Sequence, residues 1–376
     1  MRFSPGAAFA ATFQLPASLR IHAPTVVSAA GPKATSPSFV RAAISSQKYH
    51  SRRPFAERLG RVAAMSSTGE SPLASDDSVA RISLCQFRVT ENKLHNIETC
   101  RKFVREAVRD SPHLIVLPEI WNGPYATAAF GEYAEPCPEV GATAADVDND
   151  VSPSVAALLN LAVEHGVTIV GGSIPELASD GGNIYNTCLV ISADGVVVAK
   201  HRKAHLFDIS VPGGVTFRES DTLSPGSEVT VVDLGSPLGM IGVGICYDIR
   251  FPEMAAAMVR AGARVLVYPG AFNMTTGPAH WELLARGRAN DGQCYVLLAS
   301  PARSDDEDGP DGKYPKYTAW GHSTVCGPWG DVLVKTDEGE GIVRAELDMA
   351  AVERVRTSVP TRNQKRYDLY TPSEII

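Results

Sequence analysis

The sequence predicts an α/β fold in which helices cover sheets, and it does so on three observations. Short apolar runs alternate with amphipathic stretches from residue 81 onward, hairpin signals interrupt that alternation, and no linker divides residues 80 to 350. The first two give the class, and the third predicts one domain.

The elements follow in order. "RISLCQF" (81–87) reads as a strand, and Ile97, Cys100, Val104 and Val108 then fall on one helical face. "HLIVLPE" (113–119) is strand again, followed by a helix near 152–165 and the strand "VTIVGGSI" (167–174). A hairpin turns at Asp194-Gly195. Beyond it come "MIGVGIC" (240–246), a helix near 252–261, "RVLVYPG" (264–270), a helix near 280–291 and "YVLLAS" (295–300). Strands near 322–327, 331–336 and 342–347 complete the pattern. "GGSIPE" (171–176) lacks any phosphate-binding glycine pattern and reads as a turn. The acidic, Gly- and Pro-rich "SDDEDGPDGKYPKY" (304–317) reads as a solvated surface loop.

A chain of 376 residues, 44% hydrophobic and 20% charged, can bury a large core. No apolar run approaches the roughly 18 residues of a membrane helix, so a soluble protein without a membrane partner is expected. The first 66 residues differ from the rest: nine Arg or Lys stand against the single acid Glu57, among many Ser, Ala and Pro. This composition predicts a disordered transit peptide over 1–66, followed by a linker over 67–79 and a folded domain over 80–376. Its Ser and Pro content and lack of clear amphipathicity favour the chloroplast, with the mitochondrion, or the cytosol by a start at Met65, as the alternatives. Of the total charge of −7, the basic segment carries +8, which leaves the body near −15 and argues against nucleic acid as a partner. The seven cysteines are widely spaced with no C-x-x-C pair, which suggests neither a disulfide framework nor a zinc site.

Three apolar runs each end in a reactive side chain: "LIVLPE" in Glu119, "VVVAKHRK" in Lys203 and "IGVGIC" in Cys246. Strand ends are where ligand crevices form in α/β sheets. A carboxylate can take a thiol proton and later protonate a leaving amine, an ammonium can stabilise an oxyanion, and a thiolate attacks a carbonyl carbon. A neighbouring ammonium should also favour the thiolate of Cys246. Taken singly, Glu119 reads equally as a surface acid, Lys203 as a strand-end charge and Cys246 as a small buried hydrophobe. A papain-like Cys–His pairing also stays open. His201, His205, His280 and His322 lack metal-site spacing and suit packing or capping roles, and Trp281 and Trp329 read as core or interface aromatics.

"LPEIWNGPY", "HRKAHLFDISVPG", "GVGICYDIRFPE" and "YPGAFNMTTGPAHWELLARGRA" resemble the nitrilase superfamily of carbon–nitrogen hydrolases, and closely its omega-amidase branch. "FRESDTLSPG", "YNTCLV", "ASPAR" and "WGHSTV" extend the resemblance over roughly residues 80 to 372. It implies a four-layer αββα sandwich of the nitrilase type, a homodimer joined through the helices flanking the strands, and no metal or organic cofactor. By position it implies Glu119 as general base, Lys203 as oxyanion stabiliser, Cys246 as nucleophile and Glu219 as a second glutamate orienting lysine and water. The Tyr247 backbone N–H is implied to complete the oxyanion hole.

The implied activity is hydrolysis of the terminal amide of a small dicarboxylate monoamide, 2-oxoglutaramate or 2-oxosuccinamate, through a cysteine thioester. The alternatives are nitrile or N-carbamoyl hydrolysis, or a non-catalytic regulatory role. The distal carboxylate of such a substrate needs a partner. Arg250, four residues after Cys246, offers a two-pronged guanidinium, unless it pairs with Asp248 or Glu253 to fix a helix start. The resemblance points the same way, with Phe272 and Thr276 lining the other wall and Tyr125 nearby.

Overall fold

Runs that are apolar at every position cannot sit on a half-solvated sheet, and here they do not. In the chain's computed structural model, which describes residues 78–179, 181–210, 216–304 and 312–369, they lie in strands covered on both faces. The transit peptide expected over 1–66, and its linker through residue 77, lie outside the described residues.

The strands are β1 (Val79–Gln86), β2 (Leu114–Val116), β3 (Thr168–Val170), β4 (Ile174–Leu177), β5 (Ile184–Ile191), β6 (Val197–Arg202), β7 (Asp208–Ser210) and β8 (Thr216–Arg218). The second half of the chain adds β9 (Thr230–Asp233), β10 (Met240–Val243), β11 (Val265–Pro269), β12 (Tyr295–Ala299), β13 (Thr324–Cys326), β14 (Val332–Lys335) and β15 (Gly341–Asp348). The helices are α1 (Lys93–Ala107), α2 (Phe130–Tyr133), α3 (Pro153–His165), α4 (Pro252–Arg260), α5 (Gly277–Gly292) and α6 (Met349–Ser358).

One sheet runs β15-β1-β2-β3-β5-β4, with β6 also paired to β5. The other runs β14-β13-β12-β11-β10-β9. The centres of both are parallel: β1, β2 and β3 in the first, β10, β11 and β12 in the second. Side-chain alternation assigns the layers. Ile82, Leu84, Leu114, Val116 and Val190 face the second sheet and share a core with Ile241, Val243, Val267 and Leu297. Their alternates Cys85, Ile115, Ile169 and Leu189 pack under α1 and α3. Helices α4 and α5 cover the far face of the second sheet through Met254, Met258, Trp281, Ala285 and Ala289. The result is the expected four-layer αββα sandwich in one domain.

Two details differ from the sequence reading, and a third separates the two tryptophans it grouped as core or interface aromatics. The "GGSIPE" stretch is part strand, β4, and its Gly172 adopts φ +63° where a Cβ would lie 2.1 Å from the Pro118 oxygen. Only glycine lets this backbone press against the segment that carries Glu119. Helix α5 begins at Gly277, earlier than hydrophobic spacing indicated, because Pro278 occupies its first turn. Trp281 is buried, whereas Trp329 is 63% exposed and no core residue.

Candidate active site

Each of the three reactive residues lies just past a strand end. β2 and β6 belong to one sheet and β10 to the other, so the groups meet at the seam between the sheets. Cys246 opens a 3-10 turn, Cys246–Arg250, and has φ +48°. Ile120, directly after Glu119, also has φ +48°, a conformation that β-branched residues rarely adopt. Strained backbone beside two adjoining reactive side chains is held only where the surroundings over-determine it.

The surroundings of Cys246 do so through Asp248. Its buried carboxylate accepts from the Ile245 N–H at 2.9 Å and from the His205 N–H at 2.9 Å. It also bonds His205 Nδ1 at 2.7 Å and His201 Nε2 at 3.1 Å, and His201 bonds Thr230 through its other nitrogen at 2.9 Å. Although burial works in the opposite direction, the two histidines and the Ile245 N–H hold the Asp248 carboxyl far below the usual range. His280 bonds Arg250, and His322 bonds the Thr336 carbonyl. All four histidines therefore have protein partners.

Lys203, fully buried, donates to Glu119 Oε1 at 3.0 Å and to Glu219 Oε1 at 2.9 Å. Glu119, equally buried, also accepts from Asn186 Nδ2 at 2.9 Å and, at Oε2, from the Ala271 N–H at 2.7 Å. Glu219 takes the Phe207 N–H at 2.7 Å and the Tyr125 hydroxyl at 2.5 Å. The Cys246 thiol and the Glu119 carboxylate stand close enough to shift each other's ionisation. Burial, opposed by Lys203 and seconded by Glu219, raises the Glu119 pKa. Burial alone would lower Lys203, but the two carboxylates more than offset it and keep the ammonium charged.

One expectation holds in sign but is outweighed. Lys203 does pull Cys246 toward the thiolate, yet burial and the Glu119 charge outweigh it, so the pKa stands well above that of a free cysteine. The resting group is a protonated thiol next to a carboxylate. Such an arrangement can transfer the proton in the attacking step and has no need of a standing thiolate.

The residues expected to bind substrate separate into three groups. Tyr125 is spent on Glu219, with its hydroxyl also 3.5 Å from Glu119. Arg250 bonds neither Asp248, whose oxygens the histidines take, nor Glu253. Its guanidinium lies over Phe272 (4.8 Å) and Tyr247 (5.5 Å), and among the described residues its only polar contact is His280 Nδ1 at 3.2 Å and its buried Nε has no partner. Phe272 is buried edge-on against Trp281, while the Thr276 hydroxyl is committed to Asn273 at 3.0 Å. Tyr247 follows Cys246 directly, its ring set edge-on against Phe207 and Phe251.

A cavity of about 910 Å³ reaches Glu119 and Tyr125, and residues 312–317 form one wall of it with Ala271 and Pro301. The stretch read as a solvated loop is thus partly site wall, while 305–311 lies outside the described residues. Sequence reasoning assigned no role to Asn186 or Tyr317, and weighed Asp248 only as a partner for Arg250. "YNTCLV" and "CYDIRF" held Asn186 and Asp248 among motifs already noted, but no spacing rule ties Asn186 to Glu119, 67 residues away.

The family model described as carbon-nitrogen hydrolase matches residues 80–357. The chain is 50% identical over 289 residues to the chloroplastic omega-amidase of Arabidopsis thaliana, covering 77% of this chain and 73% of that one. It is 46% identical over 294 residues to omega-amidase NIT2 of Xenopus tropicalis, covering 78% and 98%. Among solved structures it is similar to Nit3 of Saccharomyces cerevisiae, a member of branch 10 of the nitrilase superfamily, with a TM-score of 0.64 and 40% identity over 76% and 97% of the two chains.

Proposed function

Because this chain belongs to the carbon–nitrogen hydrolase family, we propose that it is an omega-amidase hydrolysing the terminal amide of 2-oxoglutaramate and 2-oxosuccinamate through a thioester on Cys246. It is an enzyme acting on the carbon–nitrogen bond of amides. The observation that carries the mechanism is the buried cluster in which one lysine bridges two glutamates beside a strained cysteine.

Glu119 takes the thiol proton as sulfur attacks the amide carbon, its raised pKa bringing the acceptor closer to the donor. Lys203 and the Tyr247 N–H hold the oxyanion in a dry site, where such donors act strongly. The C–N bond breaks as Glu119 returns its proton to the leaving nitrogen, releasing ammonia. A water, deprotonated by Glu119 and oriented by Glu219, then cleaves the thioester to the carboxylate and regenerates the thiol. Tyr125 stays neutral throughout, since burial and the nearby acids push its pKa well above the ordinary, and it steadies Glu219.

A charged guanidinium with no carboxylate partner favours a substrate that brings one. Ammonia release from 2-oxoglutaramate, beside a nitrile and a carbamoyl amino acid, tests the assignment. Turnover confined to either of the last two compounds refutes it, as does no turnover at all. The N-terminal composition, together with the chloroplastic relative, supports import into the chloroplast, testable by the location of a fluorescent fusion carrying residues 1–70. A homodimer joined through the outer helices is the assembly expected, with light scattering as its check.

A further inference from the structure

The wall formed by residues 312–319 is fastened at several points. The N–H groups of Lys313 and Tyr314 donate to the two oxygens of Glu91 at 3.0 and 2.9 Å, and both side chains reach Glu132. Further on, Ala319 forms an antiparallel bridge with Asn273, and the Trp320 N–H donates to the Phe272 carbonyl at 2.7 Å. Between these anchors Tyr317 turns inward. Its ring lies 4.5 Å from that of Tyr125, and its hydroxyl donates to the Ala271 carbonyl.

Ala271 is the residue whose N–H grips Glu119 Oε2. We propose that Tyr317 is a positioning residue for Glu119, its hydroxyl fixing the Ala271 segment that orients the carboxylate and its ring holding Tyr125 against Glu219. The inference rests on the reading of Glu119 as the base. Packing alone does not account for a tyrosine here, because phenylalanine would stack on Tyr125 equally well. The hydroxyl serves the backbone next to Glu119, and burial raises its pKa well above the ordinary, so it remains a donor at every working pH.

The groups facing Glu119 are Lys203, Glu219, Cys246, Tyr125, Asn186 and the Ala271 N–H. Of these, the Tyr317 ring touches Tyr125 and its hydroxyl fixes the Ala271 segment, and Tyr317→Phe removes only the second contact. Loosening that segment weakens a bond made to the ionised carboxylate, so the acid limb of kcat/KM should move to higher pH. For Tyr317→Phe the expected result is a fall in kcat of about tenfold, a change in KM below about twofold, and that upward shift of the limb. Glu132→Gln, which loosens the strap far from the chemistry, should shift the limb the same way by less.

A fall in kcat that merely tracks the folded fraction, with the limb unmoved in both variants, overturns the proposal. If Tyr317→Phe does not fold, the limb of Glu132→Gln decides by itself. Glu119→Gln, measured alongside, separates the two readings. Full inactivity there with an unchanged limb in the other variants removes only the role of Tyr317, whereas substantial activity removes Glu119 as the base.

Discussion

Two buried carboxylate clusters flank Cys246, built from similar parts and tuned in opposite directions. Glu119 and Asp248 are both fully buried, and each accepts several hydrogen bonds, backbone N–H among them. Yet the pKa of Glu119 is raised and that of Asp248 depressed. The difference lies in what the neighbours donate and whether a second acid stands among them. Glu119 shares its one cation, Lys203, with a second acid, Glu219, and so remains under-compensated. Asp248 bonds two imidazoles and, among the described residues, pairs with no second acid. Burial thus accompanies a raised pKa in one place, suited to the proton carrier we propose, and a depressed one in the other, suited to a brace. What decides is whether hydrogen-bond donors outweigh burial, or a second acid adds to it.

The largest effect should come from the residue both clusters serve. Cys246→Ala is expected to lower kcat by about three orders of magnitude or more, read by ammonia release, since the covalent route disappears. Retention of a tenth of the activity would break the comparison at its centre. Lys203→Met comes next, because it leaves two carboxylates facing each other. Activity should fall by about two orders of magnitude or more, and stability by roughly 3–5 kcal/mol in urea unfolding. Combined with Glu119→Gln, the kinetic penalties should be far from additive, and additive penalties would mean that the cluster does not act as a unit.

Asp248→Asn sharpens the contrast, since a brace should cost stability more than chemistry. A loss of roughly 3–5 kcal/mol at pH 7 is expected, with kcat reduced less than for Lys203→Met. The native pKa being depressed, the contribution of Asp248 is present above the unfolded value of about 3.9 and is lost as pH falls through the lower native one. The stability gap between Asp248→Asn and the parent should therefore shrink below about pH 4. A gap independent of pH would show that the lost interaction was packing.

The opposite sign at Glu119 predicts the pH dependence of turnover. Activity should disappear, as pH falls, at a pH above the ordinary glutamate range, because Glu119 accepts its proton there. Glu219→Gln removes the like charge and should move that limb to lower pH. The smallest effect belongs to Arg250→Lys, which keeps the charge but loses the fork. KM for 2-oxoglutaramate should rise about tenfold while amides without a distal carboxylate are spared. Equal weakening of both substrate types would make Arg250 structural.

The primary structure by itself determined the layers and the three strand ends. Continuous apolar runs such as "LIVLP" can be buried only between two layers, and period-2 and period-3.6 patterns are local properties of the chain. The same motifs placed Glu119, Lys203, Glu219 and Cys246 among the candidates, and the fold brings those four together. Tertiary structure alone decided the protonation states and the supporting contacts. Whether Lys203 or burial dominates at Cys246 depends on a sum over groups drawn from both sheets, and the nearby positive φ at Ile120 is imposed by packing on a residue that disfavours it. Tyr317, inside a stretch that composition marks as solvated, reaches the site only because its neighbours are tied to Glu91, more than 200 residues earlier. Electrostatic sums and long-range anchors depend on distances in three dimensions, which local periodicity does not encode.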